Sequence, residues 1–369
     1  MSGTRAAIVG LGCAAPEERR AQDEALAWSM AVAPPADEDA RRRAEAIYRG
    51  SGVSRRGVAS EGRDSSGTPA PDPLRMFPPA TDAAPRGPST AERMRAYARR
   101  SAPLSERSAG LALADAGERP GAITHLVTAS CTGFAAPGWD LGLIDRLALP
   151  PDVLRTHLGF MGCHAAINAL RVAEAFTRAD GAARVLVCCT EVCSIHFQYD
   201  AKPDRVVANA LFADGSASAV VAASAGGVAR IGPSASLVLA ASRSQMAWTI
   251  GDHGFEMSLG PELPETIRAR AGPWLGAWLD RAGVGLAGVR AWAVHPGGPR
   301  VLAAVGEALT LPRAALAASR QVLAEHGNMS SPTVLFILDR LRREAGGPAL
   351  PAAMVSFGPG VAAEAMLLR

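Results

Sequence analysis

Three residues of this chain have the types and settings to do chemistry together. Cys163 follows Thr156-His-Leu-Gly-Phe160, a short apolar run that reads as a strand, and Gly162, which permits a tight turn. From Cys163 on, the small residues read as a helix. The thiol therefore sits at a helix start, where unpaired N–H groups and the helix dipole favour the thiolate, the attacking form. A nucleophile needs a base, and His295 stands out among the seven histidines. It ends the apolar strand Val289-Arg-Ala-Trp-Ala-Val294 and precedes Pro296-Gly-Gly-Pro299, glycines that let a ligand come close. Asn328 lies between two helices in Glu325-His-Gly-Asn-Met-Ser-Ser331. It can cap the second helix or present its amide to a developing oxyanion, and the sequence leaves both open.

Other chemistry is less well supported. Cys188-Cys-Thr-Glu-Val-Cys193 invites a metal, but adjacent residues on a strand face opposite ways, so no metal site is expected. Val9-Gly-Leu-Gly12 lacks the third glycine and the acid of a dinucleotide loop. A net charge of +3 is too small to argue for nucleic acid or a membrane surface, and no apolar run reaches a membrane span. The first residues read as a strand rather than a signal peptide, and six scattered cysteines suggest reduced thiols, so a cytoplasmic location is expected.

The elements that must position these residues suit an α/β protein. A length of 369 residues calls for two domains or one duplicated one. Aromatic content of 5% leaves the core to Ala, Val and Leu. Helices are expected over 21–32 and 37–48, then a loop over 60–88. Ser89-Thr-Ala-Glu92, a capping box, starts a helix toward Arg100, and another runs from Leu104 to Gly117. From Ile123, strands alternate with helices: strands over 124–130, 156–160 and 184–190, then a small-residue stretch over 210–221 around a central turn. After an Ala/Gly/Ser-rich boundary near 223–233, the style repeats, with helices over 263–282 and 332–344, others from Pro299 and Pro312, and strands over 236–242, 289–294 and around Ser356-Phe-Gly-Pro-Gly360. The similar order suggests a duplication with halves 1–225 and 226–369.

Gly162-Cys163, His295-Pro-Gly-Gly-Pro299, Gly327-Asn-Met-Ser-Ser-Pro-Thr-Val-Leu-Phe336 and Phe357-Gly-Pro-Gly360, with Phe212-Ala-Asp-Gly215 and Cys131-Thr-Gly-Phe134, resemble the type III polyketide synthases in order and spacing. This is the chalcone and stilbene synthase family, and the last motif has its bacterial form. The resemblance implies the duplicated thiolase fold in αβαβα layers, a homodimer, and an acyltransferase that needs no metal or redox cofactor. A CoA-linked starter would load onto Cys163, its thiolate paired with protonated His295. Malonyl-CoA would then decarboxylate under hydrogen bonds from His295 and Asn328, and the extended chain would cyclise, giving an alkylpyrone or alkylresorcinol.

The resemblance also assigns a gatekeeper role to Phe197, with Met257 as a softer second gate. Cavity positions fall at Cys131, Thr132, Ala136, Cys193, His196, Ser330, Phe357 and Gly358. Cys131, Cys193 and His196 stand where threonines are common, and Ala136 replaces a methionine that reaches across the dimer. The expected cavity is altered and opened toward a long acyl tunnel. Arg43 and Arg49 fall near the family's CoA-phosphate positions, while Ala46 and Gly50 replace other basic residues there, and Ser356 stands where glycine is usual. A ketoacyl-carrier-protein synthase III and a catalytically silent scaffold are the competing readings.

Overall fold

The sequence's buried strands assemble side by side. The computed structural model describes residues 5–61, 72–82, 85–344 and 349–369. Nine strands form its main sheet: β1 (Arg5–Ala14), β2 (His125–Ser130), β3 (Leu154–Gly159), β4 (Arg184–Val192), β5 (Asp214–Ser224), β6 (Ala229–Val238), β7 (Ala291–Val294), β8 (Ala352–Gly358) and β9 (Ala362–Leu368). Their order is β7-β8-β9-β6-β1-β5-β4-β2-β3. Only β7–β8, β4–β2 and β2–β3 pair in parallel. Residues 185–189 of β4 are wholly buried, the continuous apolar signature of a strand covered on both faces.

β1 and β6 meet through Ala7–Arg230 and Ile8–Ala229, joining a five-stranded and a four-stranded group. β5 ends at Ser224 and β6 begins at Ala229, so the chain crosses between the groups over 225–228. We propose that the two groups are the duplicated halves.

The main helices are α1 (Gln22–Val32), α2 (Glu38–Gly50), α3 (Thr90–Ala116), α4 (Ala165–Ala179), α5 (Leu263–Arg281), α6 (Pro299–Ala308), α7 (Ala317–His326) and α8 (Thr333–Glu344). α4 and α8 share one core with both strand groups, through side chains such as Ile167, Leu170, Leu335 and Ile337. α5 and α6 cover the other face of β7–β9, and α3 covers that of β1, β2, β4 and β5. Among the described residues no helix is long and apolar enough to cross a membrane.

Three sequence expectations give way. The two helices expected on either side of Pro103 are one 27-residue helix, α3. Proline inside a helix costs ~3 kcal/mol, but α3 buries Tyr97, Leu104, Ala109 and Leu113 along one face, which offsets it. The stretch 210–221 has no central turn: a helix over Pro203–Leu211 ends there and β5 follows. The strand expected over 236–242 belongs to β6, which begins earlier and ends at Val238. A hairpin, Met246–Gly251 with Gly254–Leu259, was not anticipated. In the 60–88 segment, Pro73–Met76 forms a 3-10 turn, while 62–71 and 83–84 lie outside the described residues.

Close packing of α3 against β1 depends on glycine. A Cβ at Gly12 would lie 2.3 Å from the Ser108 carbonyl oxygen and 2.4 Å from the Ala112 nitrogen. Gly12→Ala is expected to lower stability by about 1–3 kcal/mol through this overpacking. Thermal unfolding checks this; an unchanged midpoint would contradict it.

Candidate active site

Cys163 lies in a single 3-10 turn, Gly162–His164, between β3 and α4. The turn is sharp because Phe160 and Gly162 have φ of 59° and 65°. At Gly162 only glycine fits, since a Cβ would stand 2.3 Å from Cδ of Pro359. Phe160 adopts this backbone without being glycine, a strained arrangement typical of functional turns. Cys163 is 8% exposed, and the Ser330 and Asn328 side chains lie near enough to its thiol to pull its pKa down.

Asn328 is locked from both sides. Its N–H donates to the Leu211 carbonyl at 2.8 Å, and its carbonyl accepts from the Ala213 N–H at 2.9 Å, bridging it to Phe212. Its Oδ1 accepts from the Ser330 N–H at 2.8 Å. With the acceptor end engaged, the NH₂ end is the one turned toward Cys163, so the residue both closes a turn and offers a donor. Ser330, with φ of 59°, also holds Cys131 Sγ at 3.2 Å.

His295 follows β7, its N–H donating to the Val355 carbonyl at 2.8 Å. It is 1% exposed, and neither ring nitrogen has a hydrogen-bond partner. Burial pushes its pKa down to about 3, and the nearby His164 adds to this. Burial pushes the Cys163 thiol up to about 12; the Ser330 hydrogen bond pulls against burial, and the charge of Glu191 adds to it. Both groups are therefore neutral in the resting protein. Desolvation works against the thiolate expected from the helix start, outweighing the hydrogen bonds that favour it.

The remaining candidates divide into two groups. Thr132 donates to Glu191 Oε2 at 2.8 Å and accepts from the Val192 N–H, close to Cys131. Cys193 is buried and lines an apolar chamber of about 70 Å³ with His196, Phe197, Phe212, Trp248 and Met257. His196 lies flat on Phe255, with ring centroids 4.3 Å apart, and its Nδ1 accepts from the Phe255 N–H at 2.9 Å. Its Nε2–H therefore donates to the Thr132 carbonyl at 2.6 Å. Burial pushes its pKa to about 3, so it is a neutral clamp. Phe197 packs against Trp28, Phe77 and Tyr199 at the chamber's end. Phe357 is core, and a Cβ on Gly358 would meet His164 Cδ2 at 2.4 Å. Ala136 lies exposed on the surface.

Arg43 and Arg49 project from α2 into solvent, Arg49 within 3.5 Å of Glu45. A groove of about 690 Å³ beside α2 is lined by Gly297, Gly298, Pro299 and Arg300 of the loop after His295, with Ile47, Gly50 and Ser51. Its one lining arginine is Arg300, exposed, with Nη2 donating to the Pro261 carbonyl.

Sequence reading missed four residues. Glu191 is fully buried, and its Oε2 accepts from Ser130 Oγ, Thr132 Oγ1 and the Cys131 N–H while Oε1 accepts from Ser331 Oγ at 2.6 Å. A carboxylate inside an apolar strand was the available signal. Phe212 touches the Asn328 backbone and was read only as part of a motif. Trp248, whose Nε1–H donates to the Cys131 carbonyl at 2.8 Å, sits on the unanticipated hairpin. Arg300 carries no signal of its own. Among the described residues no cluster of His, Cys, Asp or Glu is arranged to hold a metal ion.

Because burial raises the Cys163 thiol to about 12, its thiolate fraction climbs with pH across the whole accessible range. Alkylation of Cys163 by iodoacetamide is expected to accelerate steadily from pH 6 to pH 9, followed by mass spectrometry. A plateau below pH 7 would show a preformed thiolate instead.

Comparison with known proteins gives a consistent result. Residues 80–225 match the family described as chalcone and stilbene synthases, N-terminal domain, and 231–369 match its C-terminal domain. An alpha-pyrone synthesis polyketide synthase-like protein, Pks18 of Mycobacterium tuberculosis, is 31% identical, covering 99% of this chain and 91% of that protein. Type III polyketide synthase 21 of Oryza sativa is 35% identical over 72% of this chain and 71% of its own length. The crystal structure of PKS-I from the brown alga Ectocarpus siliculosus superposes with a TM-score of 0.90 at 30% identity, covering 100% of this chain and 99% of that one.

Proposed function

This chain belongs to the chalcone and stilbene synthase family, the type III polyketide synthases, and from that premise we propose that Cys163, His295 and Asn328 carry its decarboxylating condensation. The observation that carries the assignment is the convergence of Asn328 and Ser330 on the Cys163 thiol.

The resting pair is neutral, so His295 acts first as a base. It takes the Cys163 proton as sulfur attacks the starter thioester; the C–S bond to CoA breaks, and the proton passes to the departing CoA sulfur. Malonyl-CoA then loses its free carboxylate as carbon dioxide, and the electron pair moves onto the thioester oxygen. His295 and the Asn328 NH₂ donate to that oxygen, in a dry site where such donors are worth most. The enolate carbon attacks the acyl group on Cys163, and sulfur leaves as a thiolate, which takes a proton from water before it rests or attacks the next thioester directly.

Lactone closure needs only attack of an enol oxygen on the terminal thioester, expelling CoA, and no further group. We therefore favour an alkylpyrone, in keeping with the name of the mycobacterial relative. CoA thioesters are the substrates, and the reaction draws on no other cofactor. The protein would act as a cytoplasmic homodimer, with exposed Phe134 and Phe160 at the subunit contact.

Mass spectrometry of products from graded acyl-CoAs with radiolabelled malonyl-CoA tests this reading. Wild type is expected to yield pyrones, Cys163→Ala none, and Asn328→Ala a decarboxylation rate lower by about 10²–10³. Equal product from wild type and Cys163→Ala would end the catalytic assignment.

We also propose that Arg300 serves the CoA phosphates from the groove rim, where Gly50 leaves no charge. Arg300→Ala is expected to raise KM for CoA esters roughly two- to five-fold with kcat unchanged, the scale of one exposed charge contact. Added salt should shrink the difference in steady-state kinetics; a salt-independent effect, or none, contradicts the assignment.

A further inference from the structure

A row of polar side chains crosses β7, β8, β9 and β6 on one face. Parallel pairing sets Ala293 beside Met354 and Val294 beside Val355, and the next step sets His295 beside Ser356. Ser356 pairs with Glu364, and Glu364 with Ser236. Side chains alternate along a strand. Ala293 and Met354 belong to the core shared with α4, and Val294 and Val355 to the core under α5. His295 and Ser356 therefore both project to the α4 side.

The outer part of the row is fully bonded. Glu364 accepts from Ser236 Oγ at 2.7 Å, from Asn168 Nδ2 at 3.3 Å and from the Arg171 guanidinium. Asn168 Oδ1 in turn takes the Nδ1–H of His164 at 2.7 Å. The inner part is not. Ser356 is 0% exposed, its Oγ has no partner, and both ring nitrogens of His295 are in the same position. A buried hydroxyl left unpaired costs about 1–3 kcal/mol. Glu364 already has three donors, and on the opposite side of Ser356 stands His295. Neighbouring strands lie about 4.8 Å apart, so a rotation of the serine side chain spans the gap.

We propose that the Ser356 hydroxyl positions His295 by hydrogen-bonding Nδ1, so that Nε2 faces the reacting groups. This rests on the role of His295 proposed above. A hydroxyl suits the task because it donates and accepts. While neutral His295 acts as base it accepts from Nδ1–H, which leaves the Nε2 lone pair open to the Cys163 proton; when the neutral ring faces the malonyl thioester it donates to Nδ1, which keeps the proton on Nε2, where that oxygen needs a donor. When His295 has taken the Cys163 proton, Nδ1–H donates and the hydroxyl accepts. A backbone carbonyl could serve the base and the imidazolium but not the neutral ring that donates from Nε2. Ser356 keeps its own proton throughout; the transferred proton moves from Cys163 to Nε2 and on to CoA. The ionisable groups on this side are Cys163 and His164 in the turn, Arg171 on α4 and Glu364 on β9.

The test compares wild type with Ser356→Ala and Ser356→Gly. Malonyl-CoA decarboxylation without starter and acylation of Cys163 by a starter thioester are each followed across pH. Both variants are expected to lose roughly ten-fold in decarboxylation kcat, the worth of one hydrogen bond, with KM little changed and the pH profile displaced. Unchanged rates and pH profiles beside an active wild type would overturn the role of Ser356 alone. Wild type that fails to decarboxylate malonyl-CoA would remove the catalytic reading itself. Histidine-labelled wild type supplies a measurement independent of how the variants fold. A His295 Nδ1 resonance shifted by a hydrogen bond supports the proposal, and one typical of a free nitrogen overturns it.

Discussion

The meeting of β1 and β6 is the constraint on which the rest depends. β1 pairs along its length with β5 but touches β6 only through Ala7–Arg230 and Ile8–Ala229. Gly227, with φ of 119°, lets the crossing chain pass so near β1 that a Cβ there would lie 2.7 Å from the Ile8 carbonyl. So short a joint cannot hold two halves by itself. The shared core of α4 and α8 does most of that, burying small side chains from both strand groups. Cys163 comes from the first group, His295 and Asn328 from the second. The backbone bonds between Asn328 and the Leu211–Ala213 segment cross between them. With the two groups as the proposed halves, the proposed site would form only as they dock, and weakening the joint would loosen it.

Burial then sets the electrostatics. A site this dry strengthens each donor aimed at a developing enolate, and the same dryness disfavours a resting thiolate–imidazolium pair. Burial pushes the Cys163 thiol up and the His295 imidazole down, so both are shifted toward their neutral forms. Glu191 is the carboxyl built in beside them. Burial raises its pKa, and it is bonded to both the loop after β2 and the loop after Asn328, which holds Cys131 and Ser330 beside the nucleophile.

How far the sequence could be read follows from how local each signal is. The turn before Cys163, the end of β7 at His295 and the Asn328 junction are written in consecutive residues, and each lies where expected. The nine-strand order and the central position of α4 and α8 depend on contacts across more than a hundred residues, and no short window carries them. Pro103 misled because a local breaker was outweighed by a long buried face. The burial that raises the Cys163 pKa was illegible for a related reason: the helix start is local, whereas desolvation comes from surroundings that only the fold supplies. Arg43 and Arg49 were placed by sequence, but Arg300 enters the groove only through the turn at Gly297-Gly298-Pro299.

The chamber shows how the two ends of the site divide their tasks. Its reactive end reaches Cys193, close enough to Cys131 and Cys163 for their charges to interact. There the walls are rigid: His196 is stacked on Phe255 and bonded at both nitrogens, and Trp248 is tied to the Cys131 carbonyl. At the far end stands the cluster of Trp28, Phe77, Phe197 and Tyr199, edge to face, with α1 contributing the tryptophan. The chamber between these two ends has a volume of about 70 Å³. Room for a longer chain would have to come from the Trp28 end or from Met257, whose flexible thioether is the one soft wall between stacked rings. We propose that the accepted chain length is set at this end, by side chains apart from the condensing groups, which can then stay fixed while the starter changes.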